Sequence, residues 1–596
     1  MLHRVEMPEP HGHLFHVALR VEHPGDALVV GLPVWTPGSY LVREFARHVE
    51  AVTAADGAGR PLAVERLDKH RFGVASRGAA QATVRYRVFA HELTVRTCHL
   101  DGTHGFWNGA GLLMYVEGRE REPHVLEVAP PRGWRVATAL APAAGAEDPF
   151  AGGPGEGPWR FEARDYDELV DAPVEVGTHR LATFGALGKP HAIALWGRAP
   201  GLDLERLADD ARRVVEQLGG LMGGLPYERY LFIVHTHPTA RGGLEHASST
   251  TLLVKRGGFF PRESYEDTLG LFAHEFFHVW NVKRLRPAAL VPYDYAREQY
   301  TRLLWWFEGV TSYYDELALV RAGLAEPKRW LKHAGEELTA LARLPGAAKM
   351  SLEEASLTAW VKYYRPDENS ANSAVSYYQK GELVALALDL ALRRAGGSLD
   401  ALVRELVERH GAGGLPEGAV EAAVGERLGP AAARAFFDRH VRGTGEVEID
   451  LDVVGLALRR RRAAGLDDKG GTPPKPDPGP VPGWLGANLA QGPKLTVSSV
   501  REGSPAWRAG LYAEDEIVAE GGFRIDRAGL WDRLCLAGQG GAVRLTVFRR
   551  DELVEVQVPL APAPEDTIWL EPVPSPTDAQ RAAFRAWCGA ELPDKV

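Results

Sequence analysis

Over the first 164 residues of the chain, apolar and polar side chains alternate in short stretches such as HLFHVALRVE and ATVRYRVFAHELTVR, broken by Gly and Pro. From Asp203 onward apolar residues recur at helical spacing instead, as in DLERLADDARRVVEQLGGL. A two-residue period puts apolar side chains on one face of a strand and a 3.6-residue period puts them along one stripe of a helix, so no single layer accommodates both. The chain must therefore fold as a β-rich part followed by a mostly helical one. At 596 residues it is also too long for one hydrophobic core, and three or four domains are expected.

The pattern predicts a multidomain α+β protein. A β-rich amino-terminal domain spans 1–165. A mostly helical domain with a small sheet in front of it spans 166–458, where ESYEDTLGLFAHEFFHVWNV, REQYTRLLWWFEGVTSYYDELALVRAG and GELVALALDLALRRAGG carry helical periods and RYLFIVHTHP reads as a strand. Residues 459–482, rich in Pro and Gly and poor in apolar residues, read as a linker. Short strands and turns return over 483–562, and a tail over 563–596 carries a short helix in TDAQRAAFRAWCGA.

A net charge of −10, without a concentration of Lys and Arg, argues against a phosphate-binding face and so against nucleic-acid partners. Cys98, Cys535 and Cys588 are too few and too scattered for a disulfide framework, which points to a reducing compartment. The start MLHRVEMPEPHGHLFHV lacks the order of a secretory signal, and no apolar run is long enough to span a bilayer. These features predict a soluble, cytoplasmic protein without a membrane partner.

The stretch LFAHEFFHVWNVKRLRP places His274 and His278 one helical turn apart around Glu275. At that spacing both imidazoles face the same side of a helix and can share one ion, while Glu275 can reach water beside it without being a ligand. The alternative is two ordinary histidines in an aromatic helix. A catalytic zinc needs a third protein ligand and an open position. Downstream, Glu308 follows Trp305, Trp306 and Phe307, a setting in which an unpaired carboxylate is costly to bury and a divalent cation would remove that cost. Pairing of Glu308 with Arg302 or Arg321 would do the same. Asp315, two turns further on, could orient a ligand histidine. The basic residues Lys283, Arg284 and Arg286 follow the motif helix, where they can complement its dipole.

The segments HEFFHVWNVKRLRP, WWFEGVTSYYDEL and RPDENSANSAVSYYQKGELVALALD resemble those of the glycyl aminopeptidase family, PDZ-bearing zinc peptidases related to aminopeptidase N. PVWTPGSYLVREFARHV, YDELVDAPVEVG and THPTARGGLEHASSTTL add to the likeness, which covers about Leu32 to Leu560. The resemblance implies a thermolysin-like catalytic domain, one Zn2+ per chain on His274, His278 and Glu308, and Glu275 as general base and then acid. The gap from His278 to Glu308 is longer than in thermolysin or aminopeptidase N, which leaves Glu298 and Asp294 open as third ligands.

In the aminopeptidase N relatives an oxyanion-stabilising tyrosine stands just ahead of a KG pair; the matching residue of SYYQKG is Tyr378, with Tyr377 as the neighbouring alternative. The family likeness carries recognition of a substrate's free amino group onto Glu245 of RGGLEH, with Gly242 and Gly243 leaving room for substrate backbone. A merely structural strand edge is the other reading, and His246 fits a core position better than a substrate contact. The implied substrates are peptides with a free amino terminus and a small first residue, Gly or Ala.

WLGANLAQGPKLTVSSVREGSPAWRAGLYAEDEIVAEGG looks like a PDZ domain, in which Leu485, Gly486, Ala487 and Asn488 would receive a peptide's terminal carboxylate. The same module could instead pack on the catalytic body and bind nothing. Three functions thus arise: a zinc aminopeptidase, a PDZ-guided zinc endopeptidase, and a silent PDZ scaffold. Joint retention of His274, Glu275, His278, Glu308 and Tyr378 argues against the last.

Overall fold

A computed structural model describes residues 1–146, 148, 150, 157–476 and 479–595, so residues 477 and 478 of the expected linker and residue 596 of the tail lie outside it. The chain forms two compact units, Met1–Tyr300 with Val403–Pro416, and Thr301–Leu402 with Glu417–Val596. It is a multidomain α and β protein with a β-rich amino-terminal region and a helical middle. Among the described residues no helix is long and apolar enough to cross a membrane.

In the first unit an eight-stranded sheet is built around Leu2–Glu6, Leu14–Glu22 and Gln81–Phe89. The last two pair antiparallel, with Val17 opposite Tyr86 and Leu19 opposite Val84. Phe15, Val17, Leu19 and Val21 on one strand and Ala82, Val84, Tyr86 and Val88 on the other are buried, which is the two-residue period of the sequence turned into one apolar face. A four-stranded sheet follows in the order Arg135–Ala137, Val174–Gly177, His104–Trp107 and Cys98–Leu100.

A five-stranded sheet also belongs to this unit, in the order Arg180–Ala186, Lys189–Trp196, Tyr230–His237, Ser249–Lys255 and Gly242–Glu245. Its three middle strands are parallel. Helix Leu204–Met222 connects two of them; Asp203 caps its first turn by accepting from the Arg206 amide, and Gly223 at φ +82° ends it. Gly242–Glu245 forms the edge, paired antiparallel with Ser249–Lys255. Helix Arg262–Phe277 packs on the sheet through aromatic contacts, with Phe272 5.1 Å from Phe232 and Phe276 5.1 Å from Tyr230 between ring centres.

The second unit is helical over Val310–Arg321, Pro327–Ala342 and Gln379–Arg394. Its carboxy-terminal part is a sheet of Ala487–Leu489, Leu495–Val500, Glu516–Glu520, Ala542–Arg549 and Glu552–Pro559 with helix Arg527–Ala537, around a core of its own that includes Val497, Ile517, Leu530, Leu545 and Val558. Strand Leu456–Arg461, which takes in the first residues of the stretch expected as a linker, pairs antiparallel with Thr567–Pro572 beyond the sheet. The Gly471 amide donates to the Ile568 carbonyl at 2.8 Å, so the segment is held well past the strand.

Helix Asp578–Cys588 begins with a capping box of Thr577 and Gln580. Its Trp587 is fully buried, edge-on to Trp330 at 4.8 Å, and donates to the Tyr313 hydroxyl at 2.7 Å. Removing so large a buried ring leaves a cavity and an unmet partner, so Trp587→Ala should lose about 3–5 kcal/mol. A urea midpoint unchanged from wild type would contradict this.

Candidate active site

The aromatic face of Arg262–Phe277 is fixed against the sheet, which leaves His274, Glu275 and His278 along another side. His278 caps the helix, and its ring lies 4.9 Å from that of His274 at 82°. The buried His278 Nδ1 is 2.7 Å from the Asn281 carbonyl, so it donates there and leaves the Nε2 lone pair for a ligand role. Val282, just beyond, is held at φ +139°, a strained conformation for a β-branched residue.

Glu275 lies directly against the edge strand. A Cβ on Gly243 would come within 2.0 Å of its Oε1, so any side chain there would displace the Glu275 carboxylate, whereas one on Gly242 would meet nothing closer than Arg96 Nη1 at 3.9 Å. Glu245, Glu275 and His278 are all buried and each brings a ligand atom within 4.8 Å of the others'. The strand's predicted glycine and glutamate thus meet the motif helix.

The turn Thr36–Ser39 was not assigned to the site by its sequence, yet it also reaches Glu245. Gly38 has φ +87°, and a Cβ there would be 2.5 Å from Glu245 Oε1, so a loop of the β-rich region forms one wall around that carboxylate. The PGS within PVWTPGSY was the available signal, since a turn needing positive φ favours glycine.

Asp171 is another residue the sequence reading passed over, although it lies in YDELVDAPVEVG. It accepts from the Ala247 amide at 2.8 Å and Lys283 Nζ at 2.6 Å, and is 3.1 Å from His246 Nδ1. Burial disfavours its charge, but Lys283 and His246 outweigh that and hold its pKa far below the ordinary carboxylate range. His246 is therefore a hydrogen-bonded core residue. Lys283 does not serve the helix dipole as expected, because the chain turns at Val282 and carries it to Asp171. Arg284 donates to the Pro226 carbonyl at 2.7 Å and the Val279 carbonyl at 3.2 Å, and Arg286 lies 5.1 Å over the Tyr293 ring. Asp294 is engaged by Arg297 at 2.6 Å and by the Ala296 amide at 3.0 Å, which weakens it as a ligand; Glu298 is half-buried.

In the second unit, Glu308 sits within a π-helical turn, Trp305–Gly309, and is buried. This turn presses backbone to backbone on the start of Gln379–Arg394: a Cβ on Gly309 would be 2.5 Å from Gly381 Cα. Arg302 and Arg321, the arginines that could have neutralised Glu308, pair with Glu417 at 3.9 Å and Asp400 at 3.1 Å. Tyr378 caps the same helix and is half-buried, whereas Tyr377 is fully buried. Burial first, and then the charge of Glu308, raises the Tyr378 pKa well above its usual value, so its hydroxyl stays protonated at neutral pH. Asp315 is half-buried and accepts the Glu316 amide at 2.5 Å.

Further along this unit, Leu485 is buried and its carbonyl accepts the Ala506 amide at 2.9 Å. Gly486 has φ +77° and lies against Ser504, where a Cβ would clash at 2.2 Å. Ala487 and Asn488 stand opposite Val500 and Ser499 on the neighbouring strand.

Residues 3–178 match the Peptidase M61 N-terminal domain, and residues 267–384 match the M61 glycyl aminopeptidase domain. Among solved structures, an aminopeptidase N family protein from Idiomarina loihiensis is 31% identical, with 98% of this chain and 99% of that one covered and a TM-score of 0.91. An M1 zinc metallopeptidase from Deinococcus radiodurans is 15% identical, with 75% of this chain and 94% of that one covered and a TM-score of 0.47. Comparison with curated proteins gave no match. The chain belongs to the M61 glycyl aminopeptidase family.

Proposed function

We propose that the protein is a zinc-dependent aminopeptidase that removes small residues, Gly or Ala, from the amino terminus of peptides, with one catalytic zinc held by His274, His278 and Glu308. The observation that carries this reading is the meeting of Glu245 with Glu275 and His278 beside the bare backbone of Gly243. A carboxylate suited to an ammonium group stands next to a carboxylate suited to moving a proton. The donor chemistry fits zinc: two imidazoles one turn apart, one with its far nitrogen anchored on a carbonyl, and a buried carboxylate on a rigid turn.

Bound zinc would polarise the scissile carbonyl and make water acidic enough to ionise near neutral pH. Glu275 takes a proton from the attacking water and delivers it to the departing amine. Tyr378, protonated, donates a hydrogen bond to the oxygen on which negative charge develops. Glu245 accepts from the substrate's ammonium group, and the wall formed by the Gly38 turn limits the room beyond it. The outer edge of Gly242–Glu245 pairs with no strand among the described residues, and extended substrate backbone fits along it.

We also infer that residues 483–562 form a PDZ domain, supported by the strand and helix order and by the Gly486 conformation. On this reading Leu485–Asn488 receive a peptide carboxylate.

Glu245→Ala separates exopeptidase from endopeptidase. Loss of one charge-assisted contact is worth about 1.5–3 kcal/mol, so kcat/KM for Gly- and Ala-amides should fall roughly 10- to 100-fold. Hydrolysis of amino-blocked peptides should be undetectable in wild type and variant alike. Cleavage of blocked peptides that matches that of free ones would favour the endopeptidase.

A further inference from the structure

A second group of potential ligands lies in the first unit, built from none of the residues of the candidate active site. His104 and Glu175 come from adjacent strands of the four-stranded sheet, and His235 comes from the five-stranded sheet. All three are fully buried, and each brings a ligand atom within 4.8 Å of the others'. His104 Nδ1 is 2.9 Å from Glu175 Oε1, and His235 Nε2 is 2.8 Å from Glu175 Oε2. The buried His179 brings Nδ1 to 4.0 Å from Glu175 Oε1, too far for a hydrogen bond, and that nitrogen has no other hydrogen-bond partner.

A carboxylate sealed from water needs a compensating charge. Among the described residues no Lys or Arg pairs with Glu175; its only ion-pair partners are the imidazoles of His104, His179 and His235. A divalent cation shared by the carboxylate and the imidazole lone pairs supplies that charge. We propose that His104, Glu175 and His235 hold a second divalent transition-metal ion of the zinc class.

Ligand atoms about 2.0–2.1 Å from a tetrahedral zinc stand roughly 3.3 Å apart; His104 and His235 each reach an oxygen of Glu175 at 2.8–2.9 Å, and the ligand atoms of the three residues all fall within 4.8 Å of one another. The surroundings fit as well. His104 Nε2 is 2.9 Å from His99 Nδ1, the type of outer hydrogen bond that orients a ligand ring. Trp196 stacks on His104 at 3.6 Å and Phe106 stands edge-on to His235 at 4.8 Å, which keeps the group dry. Asp101, near His104, is occupied by the Thr103 amide and hydroxyl and the His104 amide, so it serves its turn. Held by His104 and Glu175 from one sheet and His235 from the other, the ion would fasten the two sheets together, apart from the residues proposed for hydrolysis.

The test is zinc content of the full chain by mass spectrometry after stripping and re-equilibration. Wild type should hold two equivalents, the His274→Ala/His278→Ala chain one, and the same chain with Glu175→Gln none, with folding checked by circular dichroism. One equivalent in wild type that persists in His274→Ala/His278→Ala would still support this site and would instead count against the proposed catalytic zinc. A folded His274→Ala/His278→Ala chain without zinc means a hydrogen-bonded histidine network only, and overturns the proposal. Anomalous scattering at the zinc edge from wild-type crystals decides independently of any variant: a peak among His104, Glu175 and His235 is expected, and none there overturns it.

Discussion

Glu275→Gln protein should carry as much zinc as wild type and hydrolyse Gly- and Ala-amides about 10³- to 10⁴-fold more slowly. The substitution keeps the size of the side chain, so the close fit over Gly243 survives. What it removes is the ability to accept a proton from water and pass it on. Because Glu275 is not among the proposed ligands, metal content and rate should separate. Retained turnover would show that another group moves the proton; lost zinc would make Glu275 a ligand and recast the buried group of Glu245, Glu275 and His278 as the metal centre.

Glu308→Ala should have the opposite signature, in which zinc and activity fall together. One equivalent of zinc fewer than wild type is expected, and the remaining rate should match that of chelator-treated enzyme. The turn carrying Glu308 is clamped by the contact of Gly309 with Gly381, so the neighbouring backbone has little freedom to bring in a substitute carboxylate. An Ala variant with unchanged zinc content would return the third-ligand role to Glu298, since Asp294 is already held by Arg297.

The sequence exposed those parts of the site whose chemistry is local. His274, Glu275 and His278 fall within one turn and a half of one helix, so spacing alone presents them together. Strands such as Leu14–Glu22 were legible for the same reason, because one face meets the core and the other meets water. Lys189–Trp196 was not, because a strand covered on both faces loses its alternation and reads as an ordinary apolar run. Asp171 and Gly38 stayed hidden because their partners, Lys283 and Glu245, lie more than a hundred residues away in sequence. His104, Glu175 and His235 come from three separate strands with no shared motif, and only the folded sheets bring them together. Lys283 was misjudged, since a turn at Val282 cannot be seen in spacing.

The pairing of Leu456–Arg461 with Thr567–Pro572 means that the carboxy-terminal module is gripped where the chain enters it and where it leaves. Such a doubly anchored lobe resists twisting about its neck more than one on a single tether. Hydrolysis of one peptide bond between 472 and 476 would leave two fragments still zipped through that ribbon, visible as separate bands only after denaturation.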